Sequence, residues 1–451
     1  MKQLFKFNIF NKLIVMKKLL LLLVLLPLVS SAQTADQYDK QGYDEFNKKD
    51  YAESVKLFDK AIAADKGFGD AYYHRGLARF ELKDYQGAIK DYTSAISIVT
   101  HNSVMFDHRG SAKRYINDIP GAIADYDIAI KLDSTNSVAY YNRGTTKAAI
   151  KNYRDAIKDY NQAIKHNPQF VDAYVNRASA EIFTKDYPAA IADYTSLIEL
   201  KPRASIYMLR GLLRAKLNNK AGAISDFSKS IEDDPEQPYA FYNRGIMKAD
   251  LKDLTGATED YNKAIALDEK NEGAYIKLAT IQASTGNYND AMINFDKALA
   301  LNPNNAEAYA YRATAKNTKG DFAGALIDCN KAIVITDTLA IAYSNRGLAK
   351  NQHKDYKGAI ADLKKAIALN PNDAVAYVNL GNSYIFSASY GTAIQYYNEA
   401  IKLNPDYANA YNTRGIAKYF YGDKKGACVD INKAASLGFS GAKNSLARYC
   451  R

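Results

Sequence analysis

The sequence has no tryptophan and is poor in the residues that build metal and catalytic centres. Its 451 residues include three cysteines, five histidines and ten prolines. We find no nucleophile elbow, no phosphate-binding loop and no paired-cysteine metal motif. Aspartate and glutamate are plentiful but recur throughout the chain, which is typical of a structural role. We therefore expect no cofactor, no metal and no enzymatic activity.

Blocks of like charge are also missing. The formal net charge is +11, but part of it comes from five lysines within residues 1–32, where no acidic residue occurs. Beyond that segment the two signs are interspersed, without an arginine-rich tail. This pattern excludes the electrostatic footprint of a nucleic-acid-binding protein. A content of 24% charged and 47% apolar residues is ordinary for a folded soluble chain.

One long apolar run is present, near the N-terminus. Two lysines precede residues 19–29, which are apolar, and Ser30 and Ala32 follow. This order is typical of a secretory signal cut after Ala32, and the run is short for a membrane span. No cysteine follows it, which argues against a lipobox. We expect residues 1–32 to be a signal peptide, with Met16 as a possible true start, and the mature chain to be exported to the periplasm or cell envelope without stable membrane insertion. An uncleaved membrane anchor is the alternative.

The rest of the chain repeats itself with a period of 34. Twelve repeats align, and only the fifth is shorter, at 33 residues. They begin at Ala35, Gly69, Ser103, Ser137, Val171, Ala204, Pro238, Glu272, Ala306, Ala340, Ala374 and Ala408. A fixed period of this size indicates a solenoid, in which each repeat buries its apolar face against its neighbours. Positions 1–34 below count from the start of each repeat.

Each repeat predicts two helices. In repeat 4 the apolar residues of the second half follow the spacing i, i+3, i+4, i+7, which marks one face of a helix: Tyr153, Ala156, Ile157 and Tyr160. The first half predicts another helix, and the small residues Gly144 and Ala156 would let the two approach closely. Asn-Pro closes several repeats, and proline past a helix end prevents its continuation.

The repeat length, helix pair and small and aromatic positions resemble the tetratricopeptide repeat family. Tyrosine or phenylalanine stands at position 4, where the family has tryptophan; glycine or alanine fills position 8, and alanine position 20 in nearly all repeats. The resemblance implies an all-α solenoid over residues 33–441, a right-handed superhelix of antiparallel helix pairs whose first helices line a concave groove. Residues 442–451, with an apolar stripe at Leu446, predict a C-terminal capping helix.

Arginine at position 7 is unexpected in a packed helix, yet nine of the twelve repeats have it. The same nine repeats have aspartate at position 23. The pairs are Arg75 and Asp91, Arg109 and Asp125, Arg143 and Asp159, Arg177 and Asp193, Arg210 and Asp226, Arg244 and Asp260, Arg312 and Asp328, Arg346 and Asp362, and Arg414 and Asp430.

The two residues are also lost together. The three exceptional repeats have Gln41 with Leu57, Leu278 with Asn294, and Leu380 with Tyr396. Joint loss indicates contact, so we predict a bidentate ion pair within each of the nine other repeats. Recent duplication of one repeat is an alternative explanation of the recurrence. Presentation of the arginines to an anionic ligand is another interpretation.

Position 6 lies on a different face and is the candidate for ligand binding. In the family that it resembles, an asparagine near this place lines the groove and can hydrogen-bond a peptide backbone. The matching residues are Asn142, Asn176, Asn243, Asn345 and Asn379, with His74 and His108 at the same position in two other repeats. An amide both donates and accepts, which suits a neutral peptide unit. The alternative is that these side chains are solvated or contact the next helix.

The cysteines lie in two places. Cys428 falls in the last repeat and Cys450 in the capping segment, so an oxidising compartment would allow a disulfide between them, with free thiols as the alternative. Cys329 takes the aromatic slot at position 24 and is expected to be a buried apolar residue.

Together these patterns favour a non-catalytic scaffold that binds a protein or extended peptide in a groove. Two other classes remain open. One is a recognition subunit of an envelope enzyme or of a secretion or assembly complex. The other is a glycan-binding protein, which would be expected to cluster aromatics and carboxylates in one or two repeats.

Overall fold

The computed structural model describes residues 33–450, so the predicted signal peptide lies outside the described residues. Between residues 33 and 450 the chain forms twenty-five α-helices and no strand. Twenty-four of these are twelve consecutive pairs, and every first helix begins at the repeat start that the periodicity predicts. This confirms the all-α solenoid built from tandem helix pairs.

The described chain divides into two compact units, the first ending at Pro202 and the second beginning at Arg203. The helices of the first unit are α1 (Ala35–Asn47), α2 (Tyr51–Ala64), α3 (Gly69–Glu81), α4 (Tyr85–Ile98), α5 (Ser103–Tyr115), α6 (Ile119–Leu132), α7 (Ser137–Ala149), α8 (Tyr153–His166), α9 (Val171–Phe183) and α10 (Tyr187–Leu200). Those of the second are α11 (Ala204–Lys216), α12 (Lys220–Asp233), α13 (Pro238–Asp250), α14 (Leu254–Leu267), α15 (Glu272–Ser284), α16 (Tyr288–Leu301), α17 (Ala306–Lys319), α18 (Phe322–Ile335), α19 (Ala340–Gln352), α20 (Tyr356–Leu369), α21 (Ala374–Phe386), α22 (Tyr390–Leu403), α23 (Ala408–Tyr421), α24 (Lys424–Ser436) and α25 (Ala442–Tyr449).

A single left-handed residue at position 15 turns the chain from the first helix into the second. In repeat 4 this residue is Lys151, at φ 62°. Its N–H donates to the carbonyl of Ala148 at 2.8 Å, and the N–H of Asn152 donates to that of Lys147 at 3.0 Å. These bonds satisfy carbonyls that the end of α7 would leave unpaired. Lysine also holds this left-handed position in five other repeats, at residues 49, 83, 185, 252 and 354.

Close approach within each pair depends on small residues at positions 8 and 20. In repeat 4, a Cβ added to Gly144 would lie 2.9 Å from Cε1 of Tyr160, too close for an ordinary contact. Ala156, on the second helix, is fully buried. The ring of Tyr160 therefore packs directly on the backbone of α7.

The last pair carries an additional helix. Ala442 of α25 is buried against Ile431 and Ala434 of α24. Cys428 and Cys450 form a disulfide that ties the end of α25 to α24. The thiol of Cys329 is free and buried, and burial, with the neighbouring carboxylate of Asp328, raises its pKa to about 12.

Lysine in the left-handed turn leads to a stability prediction. For Lys151→Gly we expect stabilisation of about 0.5–1 kcal/mol, because relief of the left-handed strain exceeds the added entropy of glycine in the unfolded chain. The control, Lys158→Gly on the exposed face of α8, should instead destabilise by about 1 kcal/mol. Urea unfolding followed by far-ultraviolet circular dichroism measures both, and destabilisation by Lys151→Gly would contradict this account of the turn.

Candidate binding surface of the first helices

All nine arginines at position 7 contact the aspartate at position 23 of their own repeat. The Nε atom donates to Oδ2 at 2.8–3.0 Å, and Nη2 donates to Oδ1 at 2.5–2.7 Å. The arginine side chains are 12–19% exposed and the aspartates 1–7%. Each pair therefore bridges the two helices of a repeat in a largely buried setting, and we call it the Arg–Asp brace.

The same guanidinium also reaches the preceding repeat. In repeat 4, Nη1 of Arg143 donates to Asp127 at 2.5 Å. Arg346 makes the equivalent bond to Asn330 at 2.9 Å. In all nine repeats the guanidinium carbon also lies 5.3–5.9 Å from the centre of the aromatic ring at position 4. With this many internal partners, the arginines are placed to hold repeats together and not to meet a ligand.

A second cation completes the brace in eight repeats. Lysine or arginine at position 11 lies 2.7–2.9 Å from Oδ2 of the same aspartate: Arg79, Lys113, Lys147, Arg214, Lys248, Lys316, Lys350 and Lys418. Each of these buried carboxylates accepts from both an arginine and a second cation, which satisfies the charge that burial would otherwise penalise.

In two of the repeats that lack the brace, the residues at positions 7, 11 and 23 are replaced together. In repeat 8 the amide of Asn294 donates to Gln282 at 2.8 Å, beside the buried Leu278. In repeat 11 the rings of Tyr384 and Tyr396 stack at 5.4 Å. Positions 7, 11 and 23 therefore form one packing site, whose occupants change together because a lone charge there would be buried without a partner.

The position 6 residues of the first compact unit bond the first helix of the preceding repeat. His74 Nδ1 lies 2.9 Å from Asp39, and His108 Nδ1 lies 2.8 Å from the hydroxyl of Tyr73. Further along, the amide of Asn142 donates to Asp107 at 3.0 Å and that of Asn176 to the hydroxyl of Tyr141 at 3.0 Å. These contacts correspond to the alternative interpretation of position 6, in which its side chains link neighbouring helices.

In the second compact unit, position 6 is still less available. Asn345 and Asn379 are each 8% exposed. The amide of Asn345 donates to the carbonyl of Ala310 at 3.1 Å. Asn243 is half-buried, and its amide donates to the carbonyl of Tyr239 on its own helix at 2.7 Å. Burial between first helices thus places Asn345 and Asn379 where a ligand would not reach them.

A cavity opens between the first helices of repeats 4 and 5. Its volume is about 320 Å³. The rings of Tyr153 and Phe183, stacked at 4.6 Å, form one wall. The lining residues are Thr145, Ala148, Ala149, Tyr153, Tyr160, Asn176, Ser179, Ala180 and Phe183. Of the predicted position 6 residues, Asn176 therefore does lie at a cavity.

The same nine repeat positions form a cavity between repeats 8 and 9 in the second compact unit. This cavity has a volume of about 260 Å³ and is lined by Thr280, Ala283, Ser284, Tyr288, Phe295, Tyr311, Thr314, Ala315 and Thr318. In both places position 12 of one repeat and position 10 of the next are alanine. No other two adjacent repeats combine these alanines. Position 12 is larger in most other repeats, as at Phe80, Ile182 and Ile385. Where it is alanine, at Ala215 and Ala249, position 10 of the next repeat is Met247 or Ile281. We call the two cavities the valley pockets.

The rim of the first valley pocket is rich in hydrogen-bond acceptors. The hydroxyls of Thr145 and Ser179 donate to carbonyls of their own helices at 2.9 Å, which leaves oxygen lone pairs for a ligand. Asn176 donates through its nitrogen, so its carbonyl oxygen is the group left to accept. Such a rim suits N–H or O–H donors.

Neither a metal-binding cluster nor a membrane-spanning helix occurs in the described part of the chain. Among residues 33–450 no group of three or more histidine, cysteine, aspartate or glutamate side chains is arranged to hold a metal ion. Within the same range no helix has the length and apolarity needed to cross a bilayer.

Comparison with known families identifies the repeats. Tetratricopeptide repeat models match residues 40–102, 137–170, 171–203, 208–272, 272–305 and 374–407, and a TPR repeat model matches residues 349–385. The chain belongs to the tetratricopeptide repeat family. Proteins of this family are generally protein-interaction scaffolds. A comparison with curated protein sequences finds no significant match.

One solved structure shows the same fold, and others are similar over part of the chain. The APC/C hetero-tetramer Cut9-Hcn1 is similar at 16% identity and a TM-score of 0.51, over 95% of this chain and 99% of that one. The C-terminal part of a TPR repeat-containing protein from Cytophaga hutchinsonii is similar at 22% identity and a TM-score of 0.48, over 53% of this chain and 98% of that one. A tetratricopeptide repeat protein from Parabacteroides merdae is similar at 18% identity and a TM-score of 0.46, over 55% and 99%.

The brace can be tested by replacing one member or the whole set. Asp159→Asn should destabilise by about 3–5 kcal/mol, because Arg143 and Lys147 would lose their carboxylate in a buried site. The triple variant Arg143→Leu, Lys147→Gln, Asp159→Asn installs the residues of repeat 8 and should recover most of this loss. Urea unfolding measures both, and a triple variant no more stable than Asp159→Asn would show that the three positions do not act as a set.

Proposed function

We propose that the protein is a non-catalytic scaffold that binds an extended segment of a partner protein along its first helices, with partner side chains inserted into the valley pockets. The observation that carries this proposal is the formation of a pocket by the same nine repeat positions in each compact unit. A pocket that recurs at the same repeat positions suits a ligand that is itself a chain.

The chemistry of the valley pockets favours a polypeptide segment. Each volume, about 320 and 260 Å³, is at or below the lower end of small-molecule sites, so a pocket would hold one side chain and not a whole cofactor. The aromatic wall and alanine floor suit an apolar side chain, and the acceptors on the rim suit backbone N–H groups. Neither lining contains a lysine or arginine that would neutralise a phosphate.

A larger recess on the second helices is less suited to this role. It has a volume of about 410 Å³ and is lined by Pro303, Tyr309, Asn330, Lys331, Val334 and Ile335. The amide oxygen of Asn330 already accepts from Arg346 of the next repeat, at 2.9 Å. The recess therefore has fewer polar groups to orient a peptide than the valley pockets have.

We further propose that the scaffold works outside the cytoplasm, in the periplasm or at the cell envelope, either alone or as the recognition part of a larger envelope complex. The pattern of residues 1–32 supports this location, as does the pairing of Cys428 with Cys450. Disulfides persist in oxidising compartments and are rare in the cytosol.

Filling the valley pockets tests the binding site. Ala148→Ile and Ala283→Ile place at position 12 a residue that repeats 5 and 11 already carry there, so the fold should tolerate them. Peptides selected from a random display library on the wild-type protein should bind at least about tenfold more weakly to these variants, because the pocket is blocked. Fluorescence anisotropy with a selected peptide measures the affinity.

Ala300→Ile, at an exposed site on the second helix of repeat 8, is the control and should leave the affinity unchanged. Peptides that bind both pocket variants as tightly as wild type would refute the pocket as the binding site.

Export is tested separately. Expression of the full chain in a secretion-competent bacterium should yield a mature protein that begins at Gln33, because Ala32 presents the small residue that signal peptidase requires. Intact-mass measurement of the periplasmic fraction checks this. A product that keeps residues 19–29, or that stays in the cytosol, would contradict the proposal.

A further inference from the structure

Repeat 5 breaks the charge pattern of the braces. Its Arg177 and Asp193 pair like the others, at 2.8 and 2.5 Å. At position 11, however, it has Glu181, where the eight other braced repeats place a lysine or arginine on the aspartate. In the eight other braced repeats this site contains one carboxylate and two cations. In repeat 5 it contains two carboxyl groups and one cation.

Glu181 is buried and incompletely bonded. Its side chain is 9% exposed, and its Oε1 lies 3.9 Å from Nε of Arg177. That Nε already donates to Oδ2 of Asp193, so it does not satisfy Glu181 as well. The other oxygen, Oε2, is buried and has no hydrogen-bond partner. A carboxylate in this position would be buried without a donor, which is costly.

The charged groups around Glu181 do not compensate for the burial of its carboxylate. On α9 the facing cation is Arg177, and from the α10 side Asp193 and Asp186 both act on Glu181 as like charges. From α8, the neutral amide of Asn161 accepts from Nη1 of Arg177 at 2.6 Å.

The first helix of the preceding repeat, α7, carries Lys147 at the equivalent position. Its Nζ lies 2.7 Å from Asp159 of its own repeat and is thus already engaged. Burial first, and then the neighbouring carboxylate of Asp193, raise the pKa of Glu181 from 4.5 to about 7.

We propose that Glu181 is a proton-binding site: in the folded protein it is protonated, shares its proton with Asp193, and in this form holds α9 against α10. Helix α9 carries Asn176, Ser179 and Phe183, which line the first valley pocket. Loss of the proton therefore loosens one wall of that pocket. The consequence for a ligand rests on the proposed function, whereas the proton site itself does not.

The direction of the pH effect follows from the pKa. In the unfolded chain Glu181 loses its proton near its ordinary pKa of 4.5, and in the folded chain near 7. Between these values the folded state binds one more proton than the unfolded state does. The stability contributed by the proton is therefore complete below about pH 4.5, falls as the pH rises, and is lost above about pH 7.

Glu181→Gln tests the site, because an amide keeps the shape but does not ionise. At pH 5 the variant and the wild type should unfold at similar urea concentrations. At pH 8 the unfolding equilibrium constant of the variant should be lower by roughly a hundredfold or more, as expected when the pKa rises from 4.5 in the unfolded chain to about 7 in the folded chain. Glu181→Lys restores the cation that the other braced repeats have at position 11, and it should be at least as stable as the wild type at pH 8. Comparison with wild type is needed because Asp107, with a pKa raised to about 6 by burial, titrates in the same range.

Local measurements connect the proton to repeat 5. Hydrogen exchange followed by mass spectrometry, corrected for the intrinsic exchange rate, compares residues 171–200 in the wild type and in Glu181→Gln. At pH 8 these residues should exchange faster in the wild type than in the variant. At pH 5 the difference between the two proteins should be smaller. Transplanting the glutamate as Lys147→Glu should create the same pH dependence in repeat 4, and Lys147→Gln should not.

An identical pH dependence of unfolding in wild type and Glu181→Gln would overturn the proposal, as would carbon-detected NMR showing that Glu181 titrates near its ordinary pKa. If the stability results agree with the proposal but selected peptides bind equally at pH 5 and pH 8, the proton site stands and its connection to the pocket fails.

Discussion

The two parallel hydrogen bonds between arginine and aspartate organise this solenoid. A bidentate pair holds the guanidinium and the carboxylate nearly coplanar, so the contact constrains the register of the two helices as well as their separation. The third donor of the same arginine extends this register to the repeat before it, as from Arg143 to Asp127. In eight of the nine braced repeats the brace therefore constrains both the internal geometry of the repeat and its packing on the repeat before it.

A buried ion pair of this kind adds specificity more readily than stability. Desolvation offsets much of the attraction between Arg143 and Asp159, and well-packed apolar residues serve equally well in many proteins. The chain itself contains such a replacement, since repeat 8 packs Leu278 beside an amide pair in the corresponding place. What the braces avoid is an isolated charge, and repeat 5 comes nearest to having one.

Much of the fold could be predicted from the sequence because the same helix-pair pattern recurs in twelve repeats. The period determines where each first helix begins, and the joint loss of arginine and aspartate in three repeats indicated a contact between residues sixteen positions apart. Position 6 was harder to interpret. Which way Asn345 points depends on how one first helix is rotated against the preceding one, and a pattern within a single repeat carries no information on that rotation.

The valley pockets and the Glu181 site escaped prediction for related reasons. The first pocket depends on alanine at two positions in adjacent repeats, Ala148 at position 12 and Ala180 at position 10 of the next repeat. Within a single repeat, either alanine looks like an ordinary packing residue between helices. In the aligned repeats Glu181 stands at position 11, where the eight other braced repeats have lysine or arginine. Only the structure shows that position 11 lies against the aspartate at position 23, which in this repeat is Asp193. In both cases the signal lies in a departure from the repeat, whereas the periodicity draws attention to what the repeats share.

Duplication of the valley pocket has a consequence for binding strength. A pocket that holds one side chain gives modest affinity by itself. A ligand with two suitable side chains, joined by a linker that reaches both pockets, would bind the second one at a high effective concentration. Such linkage commonly raises avidity by about 10²–10⁴ over either site alone without any new contact. The spacing of side chains in a partner, more than their identity, would then decide which proteins this scaffold retains.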